Sequence, residues 1–305
     1  MGRIIQPKQL YTYDILCEDC NRLMERYPSL ISTETIGYSV GERKIIAIKL
    51  GNGEDKIFIS GAHHAREWLT TALLMDIIET YARVAVNTSN VEANRIKSIL
   101  DECTFLFVPM VNPDGVTLVQ KGEHDFEQKD LLIKWNNGSD DFSAWKANIR
   151  GVDLNRQYPA DWETIQFDPG VQSCENFKGF SFLSEPESLA IFHFVQSQSI
   201  KIAAAYHSSG EEIFWKYKSE NELEKWSKKI AMELADLTGY QLIYPGENPS
   251  GGGLTDWFIS YYKRPSFTIE IAPYVGPNPV PLTYYDSIYI KNKNVPLLLA
   301  ENRNP

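Results

Sequence analysis

The chain has 305 residues, 43% hydrophobic and 23% charged, enough to bury a large core without a disulfide framework. A formal net charge of −10 excludes the basic face that a nucleic-acid partner asks for, and no apolar run approaches the roughly 20 residues of a membrane-spanning helix. The first twenty residues lack the basic start and apolar stretch of a secretory leader, and the four cysteines make only one CxxC, so a reduced, cytoplasmic protein is expected.

In chain order, Tyr11 to Tyr27 predicts a helix carrying Cys17 and Cys20, within an N-terminal helical extension of about residues 1–34. Two β-branched runs, Lys44–Leu50 and Lys56–Ser60, are joined by Gly51-Asn52-Gly53, which predicts a hairpin. After the break at Gly61-Ala62, apolar residues recur at helical spacing from Trp68 to Tyr81. A strand from Thr104 to Met110 runs into Asn112-Pro113-Asp114-Gly115, a predicted turn. Ser184-Glu185-Pro186-Glu187 has proline and acids where a helix begins, and Leu223, Trp226, Ile230 and Leu234 mark an amphipathic helix closed by Gly239. The strand Phe267–Ile271 precedes a last helix over about Tyr284 to Ala300. Strands alternating with helices predict one α/β domain over residues 1–305, with a twisted, mixed but largely parallel sheet and helices on both faces.

His64 and Glu67, three apart, share one face of a helical turn between the strand ending at Ser60 and the helix from Trp68. His207 follows the apolar Ile202–Tyr206 and precedes Ser208-Ser209-Gly210, so it falls at the same edge of the sheet, where α/β proteins bind ligands. Two imidazoles and a carboxylate make a zinc site with one position open, the mark of a catalytic rather than a structural centre. His63 is an alternative ligand, whereas His124 and His193 have no metal-like partners. Glu270 interrupts an apolar strand, where an acid is costly unless it is paired or used, and could serve as general base. Trp145 to Arg156 concentrates hydrogen-bond donors: Arg156 offers a planar fork for a carboxylate, Asn155 an amide, and Asp153 could fix the tautomer of a liganding imidazole.

His64-Ala65-Arg66-Glu67-Trp68, Gly151–Arg156, Ala205-Tyr206-His207-Ser208, Gly252–Trp257 and Phe267–Glu270 resemble, in order, the signature segments of the zinc carboxypeptidase family. The resemblance implies one zinc ion per chain held by His64, Glu67 and His207, with register favouring His64 over His63. It implies Glu270 as general base, Arg150 as the oxyanion-stabilising arginine, and Asn155 and Arg156 holding a substrate carboxylate with help from Arg66. Asn248 stands where digestive members have a mobile tyrosine, and Thr255 occupies the position governing the specificity pocket, which implies a small or polar substrate side chain. Pro7–Tyr13, Thr35–Gly41 and Thr268–Pro273 are similar to bacterial γ-D-glutamyl-L-diamino acid peptidases, implying a carboxylate-bearing muropeptide cut between D-glutamate and meso-diaminopimelate. The competing readings are an ordinary metallocarboxypeptidase, a zinc-dependent N-acyl amino acid deacylase, and a dead scaffold that binds carboxylated peptide ends.

Overall fold

In a computed structural model of the chain, which describes residues 2–246 and 248–305, the chemistry-bearing strands lie in the middle of one sheet. Its strands are β1 (Ile31–Tyr38), β2 (Lys44–Leu50), β3 (Asp55–Gly61), β4 (Cys103–Val108), β5 (Ile200–Ser208), β6 (Glu212–Phe214), β7 (Gln241–Ile243) and β8 (Ser266–Ile271). They are ordered β1-β2-β4-β3-β5-β8-β6-β7. The central β4-β3-β5-β8 run is parallel, while β1 and β2 on one side and β6 on the other join antiparallel. The central strands are almost continuously apolar because both faces are covered.

The helices are α1 (Tyr13–Arg26), α2 (Leu69–Asn87), α3 (Val91–Glu102), α4 (Pro113–Lys121), α5 (Lys129–Trp135), α6 (Pro186–Gln196), α7 (Asn221–Thr238), α8 (Leu254–Tyr262), α9 (Tyr285–Asn292) and α10 (Val295–Glu301). One face of the sheet, with Ile57, Ile59, Ile202, Ala204, Tyr206 and Ile269, packs on α1, α2, α3, α7 and the C-terminal helices. The other, with Phe58, Ala203 and Ala205, packs on α6 and α8. A third cluster gathers Ala65, Leu118, Leu132, Trp145, Ala147 and Ile149 beside the metal motif. Because side chains alternate along a strand, His207 shares the α8 face with Ala203 and Ala205.

Four expectations are corrected. β2 and β3 form no hairpin: β4 lies between them, pairing antiparallel with β2 and parallel with β3. The glycines serve a close backbone passage instead of a tight turn. Gly51 and Asn52 donate to the carbonyls of Leu30 and Leu100, and a Cβ on Gly53 would lie 1.8 Å from the carbonyl carbon of Glu102. Asn112-Pro113-Asp114-Gly115 opens α4; the Asn112 side chain caps it by accepting from the Gly115 N–H at 3.0 Å, with proline in the first turn where no amide donor is needed. The predicted last helix is two, α9 and α10, since Pro296 starts a new one. β1 also begins at Ile31, so the sheet takes up the end of the stretch expected to be a helical extension.

Candidate active site

The parallel register places the ligands. β3 ends at Gly61, paired with Tyr206, and the chain then makes a 3₁₀ turn over Ala65–Glu67 while β5 runs one residue further to His207. The Ala65 and Arg66 amides donate to the carbonyls of Lys146 and Trp145 at 3.1 Å each, tying the turn to the neighbouring loop. His64, Glu67 and His207 are all buried. The Nδ1 atoms of His64 and His207 lie 3.1 Å apart, and each is 2.9 Å from a different oxygen of Glu67. A tetrahedral zinc with bonds of 2.0–2.1 Å holds its ligand atoms about 3.3 Å apart. Two lone-pair nitrogens aimed at one carboxylate and at each other are what a cation between them satisfies, and the residues fit zinc. Among the described residues this is the one cluster of three metal-ligating groups that converge in this way.

Asp153 accepts at 3.2 Å from the Nε2 of His64, leaving Nδ1 for the metal. Burial alone would raise Asp153, but Lys146, 3.1 Å from its other oxygen, and His64 hold it well below the ordinary carboxylate range. Burial would likewise raise Glu67, yet the two imidazoles keep it below its usual value. His63 is buried too, hydrogen-bonded to the Tyr158 hydroxyl at 3.1 Å and stacked against the His207 ring at 5.8 Å, so it backs a ligand and is not one.

His64, Arg66, Glu67, Lys146, Glu175, Ser208, Ser209, Glu270 and Tyr274 line a cleft over this centre. Glu270 is the direct neighbour of His207 in the β5–β8 ladder. Burial first, and the Glu67 carboxylate second, push it well above the usual range, with Lys146 opposing. Arg66 donates to the Ala144 carbonyl at 2.7 Å and reaches the Glu175 carboxylate at 3.4 Å.

Arg150 does not line the cleft. Its side chain is 53% exposed and faces Glu185 at 3.7 Å, while the Asn148–Gly151 turn carries it outward. Lys146, with 12% of its side chain exposed, is the cation that reaches the centre. Lys146 is not among the site residues expected from the sequence, where its only signal is its place between the apolar Trp145 and Ala147, both of which are fully buried. Asn155 accepts from the Leu254 amide at 3.0 Å, and Arg156 Nη1 donates to the Asn155 carbonyl at 3.0 Å, so the pair is joined to the start of α8. Thr255 is buried, its hydroxyl 2.9 Å from that of Thr268 on β8. Asn248 is exposed on the loop ahead of α8, its carbonyl accepting from Gln166 at 3.1 Å.

Residues 16–276 match the zinc carboxypeptidase family model. The chain belongs to the zinc carboxypeptidase family. Gamma-D-glutamyl-L-diamino acid endopeptidase 1 of Lysinibacillus sphaericus is 36% identical over 289 residues, covering 94% of this chain and 71% of that protein. Human carboxypeptidase B is 30% identical over 261 residues, covering 80% of this chain and 58% of its own length. The bovine thrombin-activatable fibrinolysis inhibitor superposes with a TM-score of 0.77 at 20% identity, over 97% of this chain and 98% of that one, and shares the fold. This zinc carboxypeptidase is thus a zinc metallopeptidase with an intact His-Glu-His site.

Proposed function

We propose that this zinc peptidase hydrolyses the amide between the γ-carboxyl of D-glutamate and a diamino acid, meso-diaminopimelate, in peptidoglycan stem peptides. The observation that carries this reading is the identity of 36% across 94% of the chain to an enzyme named as a γ-D-glutamyl-L-diamino acid endopeptidase. The polar Thr255–Thr268 hydroxyl pair and the Asn155–Arg156 donors support it, since the leaving diamino acid is itself polar and carboxylated.

Zinc in the His64–Glu67–His207 cradle supplies the Lewis acidity that brings the pKa of a water towards about 7. Glu270, beside His207, accepts a proton from the attacking water and delivers it to the leaving amine. Lys146 places a positive charge where the scissile carbonyl oxygen becomes an oxyanion, and Arg66 adds a second at the mouth of the cleft. Asp153 positions His64 and Lys146 together through its two oxygens. Arg156 and Asn155 receive a substrate carboxylate.

Incubating the zinc-loaded enzyme with L-alanyl-γ-D-glutamyl-meso-diaminopimelate and identifying the products by mass spectrometry tests the reading. Release of free diaminopimelate, abolished in Glu270→Gln, is expected. An intact stem tripeptide alongside efficient trimming of ordinary L-peptide C-termini would overturn it.

A further inference from the structure

Glu270 has charged or metal-ligating neighbours on both sides. In β5 its partner is His207, and in the antiparallel β6–β8 pair its partner is Glu212. Thr268 and Phe214 are the next such pair on the same face. Ile213 and Ile269, alternating with them, point into the opposite core, so Glu212, Phe214, Thr268 and Glu270 all face α8. Thr268 bonds Thr255 on α8, and Phe214 is 41% exposed.

Like charges directly opposite on neighbouring strands are destabilising. Glu212 is half-buried, and among the described residues no cation lies within 4 Å of its carboxylate, whereas its sequence neighbour Glu211 is held by Lys291. A Cβ added to Gly210 would lie 3.2 Å from Glu212 Oε2, which puts that carboxylate against the turn following Ser208 and Ser209, both of which line the metal cleft. An unneutralised acid beside the catalytic carboxylate, next to an exposed aromatic ring, is a cost that a cationic ligand removes.

We infer that Glu212 receives the free ammonium group of the leaving residue, so that the pocket selects a cationic or zwitterionic side chain. The acid that a basic-residue specificity requires is absent from position 255 and comes from β6 instead. A leaving residue would present its ammonium to Glu212, across the β6–β8 pair from Glu270, and its carboxylate to Arg156. This deepens the reading of the site as a diamino acid peptidase and rests on it for the γ-D-glutamyl half of the substrate. It does not rest on it for the ammonium.

The test compares γ-D-glutamyl-L-lysine with γ-D-glutamyl-L-norleucine, which differs by the missing ammonium. In the zinc-loaded native enzyme, kcat/KM is expected to favour the lysyl compound about 10–100-fold. Glu212→Gln should remove that preference by lowering the lysyl value and leaving the norleucyl value within about threefold, and Glu212→Asp should retain part of it. Equal losses on both compounds, or no loss on either, would overturn the assignment. Should the native enzyme cleave neither compound but trim ordinary L-peptides, the γ-D-glutamyl reading fails by itself. The same comparison on α-L-peptides ending in lysine or norleucine then decides the role of Glu212, by the same two outcomes.

Discussion

His207 and Glu270 are directly paired in the parallel β5–β8 ladder, both on the α8 face of the sheet. One register therefore fixes a metal ligand and the carboxylate beside it, at the strand ends where the metal turn also arrives. Glu270→Gln keeps the shape and removes the base. Turnover should fall about 10²–10⁴-fold while zinc content, measured by atomic emission, stays at the native level. Loss of zinc together with activity would assign Glu270 to the metal site instead.

Asp153 bridges His64 and Lys146, so its removal should loosen the ligand set without deleting a ligand. Asp153→Asn is expected to weaken zinc binding about 10–100-fold in a chelator competition. Unchanged affinity would mean that His64 is oriented by its own turn.

Lys146 and Arg150 are four positions apart in sequence but differ in their surroundings, one over the metal centre and one out against Glu185. Lys146→Met should lower kcat about 10²–10³-fold, with partial rescue in Lys146→Arg, and Arg150→Ala should change kcat/KM by less than about threefold. The reverse ranking would return the oxyanion role to Arg150.

Glu187, at the start of α6, is fully buried among Asn148, the Val40 amide, Glu185 and Asp114, the last of these paired with Arg43. Burial, with Asp114 and Glu185 adding to it, pushes its pKa from 4.5 up to about 8. The folded state then holds a proton that the unfolded chain gives up near its ordinary value, so stability is full below about pH 4.5 and falls as the pH rises towards 8. Denaturant midpoints from pH 5 to 9 should decline for the native chain and decline less for Glu187→Gln. Parallel curves would show that Glu187 ionises alike in both states.

Gly53→Ala puts a methyl group 1.8 Å from the Glu102 carbonyl carbon, which only backbone movement relieves. A loss of more than about 2 kcal/mol in chemical denaturation is expected. A neutral result would show that the β2–β3 crossover is loosely packed.

The zinc set and the alternation of strands and helices were legible because each rests on local pattern: His64 and Glu67 on one turn, His207 at a strand end, apolar runs of strand length. What was not legible depends on partners distant in sequence. Gly51-Asn52-Gly53 carries a hairpin signal, but β4, some fifty residues later, claims the slot between the two strands. Lys146 and Arg150 share one donor-rich segment, and only the backbone pairing of Lys146 and Trp145 with the metal turn shows which of the two cations enters the cleft. Glu212 is one acid among many until the register sets it opposite Glu270.

The most direct measurement is kcat/KM of the zinc-loaded enzyme on two isomeric dipeptides, γ-D-glutamyl-meso-diaminopimelate and α-L-glutamyl-meso-diaminopimelate. A preference of at least about tenfold for the γ-D isomer, with turnover of both isomers lost in Glu270→Gln, is expected of a γ-D-glutamyl diamino acid peptidase. Equal rates, or a preference for the α-L isomer, would contradict it and leave an ordinary metallocarboxypeptidase.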